Sequence, residues 1–240
     1  MNKRKEGISI AIISEGETEA WYFRQLSTKE RLHISTYPKE GKSLGSLYDK
    51  AVDLIYDGSY DFIFGLIDLD KNKKYKTKLQ KLTSLSKKAQ NFHVIRSQPC
   101  FEYWFYLHRK KYSARYFSTW KNENPLKPEI QKIIKDYEKS QKFYSSTGGQ
   151  GLYSLLRPKL KNACSNSLKL LNDTTTESIC EIFHVVGILF CSKHRNIECT
   201  DEKFFNTCIK SNKLCEDLKN ILANILNLYF KIPYFFSDIQ

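Results

Sequence analysis

The chain has 240 residues, 41% of them hydrophobic and 27% charged, the balance of an ordinary globular protein long enough to bury a full core. Lysine and arginine total 39 against 26 aspartate and glutamate, a formal charge of +13, which favours polyanionic partners, nucleic acid first and anionic membrane second. The greasiest segment, Ile179 to Cys191, is interrupted by Glu181 and His184, and the early run Ile8 to Ile13 is short and ends in acids, so a membrane span and a secretory leader are both excluded and a cytoplasmic chain is expected.

Met1 to Gly7 is a short basic tail. Ile8 to Ile13 reads as a buried strand that breaks off into Ser14, Glu15, Gly16, Glu17, Thr18 and Glu19. Thr18 is placed to cap a helix through about Gln25, with Glu19 in its first turn and Tyr22, Phe23 and Leu26 on its inner side. His33 to Tyr37 forms a short strand, Pro38 to Gly45 a loop, and a helix starting at Ser43 or Ser46 carries Leu47, Ala51, Leu54 and Ile55 at helical spacing. Phe62 to Ile67 is a second buried strand that delivers Asp68 and Asp70 at its tip. Lys71 to Lys88 is expected to be partly helical and Phe92 to Arg96 to be another strand. Alternating strands and helices predict an α/β fold with right-handed crossovers and a mainly parallel, Rossmann-like sheet.

In such a sheet the carboxyl ends of the strands share one edge, where ligands bind. Glu15, Asp68 and Asp70 would therefore meet there. Clustered carboxylates repel unless a cation compensates them, and hard oxygen donors suit Mg²⁺ or Mn²⁺. Taken singly, each acidic stretch reads equally well as turn or capping residues; together they favour the metal. Eight lysines crowd the segment behind Asp70, beginning with Lys71, Lys73, Lys74, Lys76 and Lys78. A solvated helix face and a phosphate-contacting surface are even readings of that segment.

From Ser97 to His108 an aromatic-rich helix is expected, with Pro99 near its first turn. Phe101, Trp104, Phe105 and His108 form a stripe that reads as core. Glu102 stands at the N-terminal turn, equally a metal ligand and a helix cap. Beyond Tyr112, Ile130, Ile133, Ile134 and Tyr137 mark one amphipathic helix, Leu152 to Leu171 another, about Glu177 to Cys191 a third and Leu214 to Tyr229 a fourth. Ser145 to Gly151 between the first two is a flexible loop. Its Gly-Gly-Gln string matches translation release factors by only three residues, and a P-loop lysine is missing. The seven cysteines suit reduced thiols, and Cys191, His194, Cys199 and Cys208 are spaced too loosely for a convincing zinc site. Residues 1 to 110 are read as an α/β domain and 111 to 240 as a helical elaboration. The aromatic tail from Tyr229 to Phe236 is expected to be covered, by this chain's own helices or by a partner subunit.

Three motifs, SEGETEAWYF at Ser14 to Phe23, DLD at Asp68 to Asp70 and SQPCFEYWFYLH at Ser97 to His108, resemble the Toprim superfamily and, within it, the RloB-like proteins found near bacterial restriction and phage-defence genes. The resemblance covers the first ~110 residues well. It continues loosely through Tyr137 to Lys139 and Asn172 to Thr176. It implies a divalent metal, Mg or Mn, between a glutamate after the first strand and the paired aspartates. It also implies metal-dependent phosphodiester cleavage of nucleic acid, either RNA such as tRNA or DNA, in antiphage defence. Glu15 would act as general base or metal ligand, Asp68 and Asp70 would hold the ions, and Glu19 and Glu102 would complete the shell. The lysines after Asp70 would steady phosphate oxygens. An ABC-type ATPase partner and self-association into a homo-oligomer fit the same setting. A non-catalytic subunit binding nucleic acid or nucleotide through the same acids, or an interaction subunit with a purely structural sheet, are the alternatives.

Overall fold

Alternating apolar residues on short strands set the two faces of the central sheet. The computed structural model describes residues 9–38, 44–69, 75–89, 91–118, 125–146 and 151–193. The first half runs β1 (Ile10–Ser14), α1 (Glu17–Glu30), β2 (Ile34–Pro38), α2 (Leu44–Asp57), β3 (Phe62–Asp68), α3 (Tyr75–Lys88) and β4 (Phe92–Gln98). The second half contributes α4 (Tyr103–Tyr106), α5 (Lys127–Gln131), α6 (Gln141–Ser146), α7 (Gly151–Leu156), a 3-10 turn at Arg157–Lys159, α8 (Leu160–Leu171), β5 (Ile179–Cys180) and α9 (Ile182–Lys193). The sheet order is β2-β1-β3-β4-β5. The first four strands are parallel and β5 closes one edge antiparallel, pairing Ser97 with Cys180 and Gln98 with Ile179.

Residues of odd and even number on each strand point to opposite sides. Ile10 and Ile12 of β1, with Phe62, Phe64 and Leu66 of β3, face α1 and the helices of the second half in one large buried cluster. Ala11, Ile13, Ile63 and Ile67 face α2 and α3 in a smaller one, against Leu47, Ala51, Leu54 and Leu82. The elements after residue 110 thus share a core with α1 and add a strand to the sheet. The amide of Gln25 ties them further: its Nε2 donates to the Tyr144 carbonyl at 3.0 Å and its Oε1 accepts from the Tyr153 N–H at 2.8 Å. Gly151 opens α7 with a φ of +72°, and a Cβ there would stand 2.6 Å from that amide, so both backbone and space require glycine.

Several local expectations are corrected. Thr18 does not cap α1, which begins after Gly16 without a side-chain cap; its hydroxyl instead meets the Tyr144 hydroxyl at 2.8 Å. The aromatic helix does not start at Pro99, because β4 runs to Gln98 and only Tyr103–Tyr106 is α-helical, although Phe101, Trp104, Phe105 and His108 are all buried as the stripe requires. The helix expected over Leu152 to Leu171 is interrupted by a 3-10 turn around Pro158, whose ring removes a backbone donor. The start of the third expected helix is the short strand β5. The fourth expected helix, the aromatic tail, Gly148 to Gln150, and His194, Cys199 and Cys208 of the loose zinc pattern lie outside the described residues.

Candidate functional site

From β1 the chain passes through α1 to β2 on one side and then crosses back through α2 to β3 on the other side of β1, so the strand order reverses at the carboxyl ends of β1 and β3. A crevice opens at such a point because the outgoing loops diverge. The register sets Ile13 opposite Gly65, which brings Glu15, just past β1, level with the tip of β3. There the Asp68 backbone N–H donates to Glu15 Oε1 at 3.3 Å. Two of the three expected metal ligands, on strands far apart in sequence, are thus adjacent.

Glu19 joins them from the first turn of α1. It is only 4% exposed, and its Oε2 has no hydrogen-bond partner among the described residues. Gly16 makes room for it, since a Cβ at that position would lie 3.0 Å from the same oxygen. Burial first, then repulsion from Glu102 and Glu15, pushes the Glu19 carboxyl up to about 7, against the opposing pull of its own backbone N–H and of Lys139. Asp68 keeps part of its surface open, yet its carboxyl is also held well above the usual carboxylate range. Desolvation is the leading cause, followed by the charges of Glu19 and Glu102, with Glu15 adding to them and Lys139 opposing.

Glu102 arrives from the turn after β4 and is fully buried. Its side chain makes no capping bond to α4, which removes the capping reading. It is paired instead with Lys139, whose Nζ is 2.6 Å from Glu102 Oε1. Burial would lower the Lys139 pKa, but the Glu102 carboxylate and, less strongly, Glu19 outweigh it and hold the ammonium above its ordinary range. The Cys100 thiol is driven up by burial and then by Glu102 and Asp68, so it stays protonated. Beside the acids runs a line of hydroxyls, Thr18 to Tyr144 at 2.8 Å and Tyr144 to Tyr137 at 3.1 Å.

Among the described residues, four carboxylates and one ammonium therefore share this edge. Glu15, Asp68, Glu19 and Glu102 come together as the sequence indicates. Lys139 is the member that strand and motif spacing did not single out; the Tyr137-x-Lys139 match was its only signal. Asp70, Lys71, Lys73 and Lys74 lie outside the described residues, and Lys76 and Lys78 are described only as backbone of α3. Among the described residues no group of three His, Cys, Asp or Glu side chains is arranged to hold a metal ion. The expected trio includes Asp70, and the donor chemistry fits a hard cation: oxygen ligands, mutual repulsion and a buried Glu19 oxygen without a donor.

A family model described as RloB-like protein matches residues 10–189. The match takes in the edge acids and extends through Tyr137 and Lys139 into α9. No significant match was found among curated proteins or among solved structures. None of the described helices is long and apolar enough to cross a membrane.

Proposed function

The chain belongs to the RloB-like protein family, and on that premise we propose that it is a metal-dependent nuclease of Toprim type that cleaves phosphodiester bonds of RNA or DNA in bacterial antiphage defence. Family membership supports the defence-associated, nucleic-acid-related setting, and a net charge of +13 supports a polyanionic substrate. The observation that carries the reading is the gathering of Glu15, Glu19, Asp68 and Glu102 at the sheet's switch point against a single ammonium among the described residues. Glu15, Asp68 and Asp70 would hold Mg or Mn, which when bound polarises the scissile phosphate. Glu19, with its proton affinity near neutrality, would take a proton from the attacking water. Lys139, paired with Glu102, would offset charge on a non-bridging oxygen. Lys71, Lys73, Lys74, Lys76 and Lys78 would contact flanking phosphates, and an ABC-type ATPase encoded nearby would restrain the activity in the cytoplasm.

Binding of nucleic acid or nucleotide through the same acids, without cleavage, is the second reading. End-labelled RNA and DNA incubated with purified protein and Mg²⁺ or Mn²⁺, wild type beside Asp68→Ala, separates the two. Fragments formed by wild type alone support the nuclease; retention of intact strands by wild type supports the binding subunit; neither outcome would leave both without a basis.

A further inference from the structure

The far end of the α4 segment holds a feature that the carboxylate site does not use. A cleft of about 590 Å³ opens among α4, α5 and the start of α8, within the range of roughly 300 to 1,000 Å³ that small-molecule sites occupy. Its lining carries four cations, Arg109, Lys110, Lys132 and Lys159, and one acid, Glu129. That acid is already engaged by two cations. Lys132 Nζ is 2.7 Å from Glu129 Oε1, and Arg115, which does not line the cleft, reaches the same oxygen at 3.1 Å. A strong positive excess therefore faces one concave space, and such a cleft draws anions toward it. Arg109 is held ready: its guanidinium lies 4.8 Å from the Tyr106 ring centroid and donates to the Tyr106 hydroxyl.

Behind the cations the wall includes His108, which is fully buried. Its Nδ1 lies 2.9 Å from the Trp104 carbonyl oxygen, an atom that can only accept, so Nδ1 carries the proton. Burial, aided by the Lys159 charge against the pull of the Trp104 carbonyl, lowers the ring to about 3, so it is neutral and Nε2 keeps its lone pair. That nitrogen has no partner among the described residues. Cations that take phosphate oxygens line the cleft, and a buried imidazole whose Nε2 has no partner among the described residues stands in its wall.

We propose that this cleft is a second, phosphate-binding site, which takes a nucleotide-sized ligand through Arg109, Lys132 and Lys159. The ligand is either a free nucleotide or a nucleotide unit of a nucleic-acid strand; both present phosphate oxygens beside hydrogen-bond donors. The site does not depend on metal at the carboxylate edge. Calorimetric titration in EDTA with ATP and, separately, with a short single-stranded RNA tests it. Wild type should bind at least one probe with no divalent metal present, whereas the Lys132→Gln/Lys159→Gln double variant should bind it about tenfold or more weakly. Both lysines are exposed, so the fold should persist; a matching thermal midpoint checks this, and Arg109→Gln serves as a second variant. ATP binding identifies a free nucleotide, and RNA binding alone identifies a strand. Absence of binding to both probes, or affinity unchanged in the double variant and Arg109→Gln, overturns the proposal.

Discussion

Glu19 and Glu30 stand near opposite ends of α1, both almost wholly buried, at 4% and 1% exposure, yet their surroundings are opposite. Glu30 is fully engaged: the Tyr153 hydroxyl donates to its Oε1 at 2.9 Å and the Arg157 Nε at 2.5 Å, tying α1 to α7 and the turn behind it. Glu181 is treated the same way, accepting the Arg96 N–H at 2.8 Å and its guanidinium, which locks β5 to β4. Glu19 faces Glu102 and Glu15 with an oxygen that no described residue satisfies. A buried acid with matched donors spends its charge on joining elements. One surrounded by other acids stores repulsion that only a bound cation, a proton or a substrate relieves. The first kind is architecture, and the second is the kind from which the proposed site is built.

The largest expected effect lies at the unbalanced end. On the nuclease reading proposed above, Asp68→Asn should lower cleavage by about a hundredfold or more, because an amide would not replace a carboxylate that holds the metal; a gel assay on labelled strands reads this directly. At the balanced end, Arg157→Ala should destabilise the protein by about 2 kcal/mol and leave cleavage by the folded fraction intact. Removing one partner of a buried pair costs ~3–5 kcal/mol when both are enclosed, and the Arg157 side chain is about half exposed, at 52%. Urea unfolding measures the difference.

A third test follows the sign of the Glu19 shift. With its carboxyl raised from 4.5 to about 7, the folded state holds a proton that the unfolded chain releases earlier. The Glu19 contribution to stability is then fully present below about pH 4.5 and is lost as pH rises toward about 7. Glu19→Gln removes that loss, so in metal-free buffer the variant should gain on wild type across this window, on the order of 1.4 kcal/mol per unit of displaced pKa. Equal pH profiles would place Glu19 with Glu30 instead. The smallest effect is Tyr144→Phe, which breaks the hydroxyl line from Thr18 to Tyr137 and should cost about 1 kcal/mol in thermal or urea unfolding.

What could be read in advance follows the same division. β1 and β3 are short apolar runs that stop at acids, so their burial and the shared edge follow from local pattern. The meeting of Glu15 with Asp68 needed only parallel register. Lys139 was harder, because its partner Glu102 lies on another element and no helical or strand period links them. Thr18 looked like a cap for the same reason: its partner Tyr144 is brought to it only by the packing of α6 on α1. β5 has two residues and no periodicity to show. Local signals place elements, while charge partners across the fold depend on tertiary packing.

The central claim is that the unbalanced acids are a site and the balanced ones are structure, and one paired measurement tests it most directly. Unfolding free energy and phosphodiester cleavage are measured together for Asp68→Asn and Glu30→Gln. Asp68→Asn should hold or slightly gain stability, within about 1 kcal/mol, and lose cleavage, while Glu30→Gln should lose stability and keep cleavage. An Asp68→Asn protein that unfolds, or that cleaves as wild type does, would contradict it.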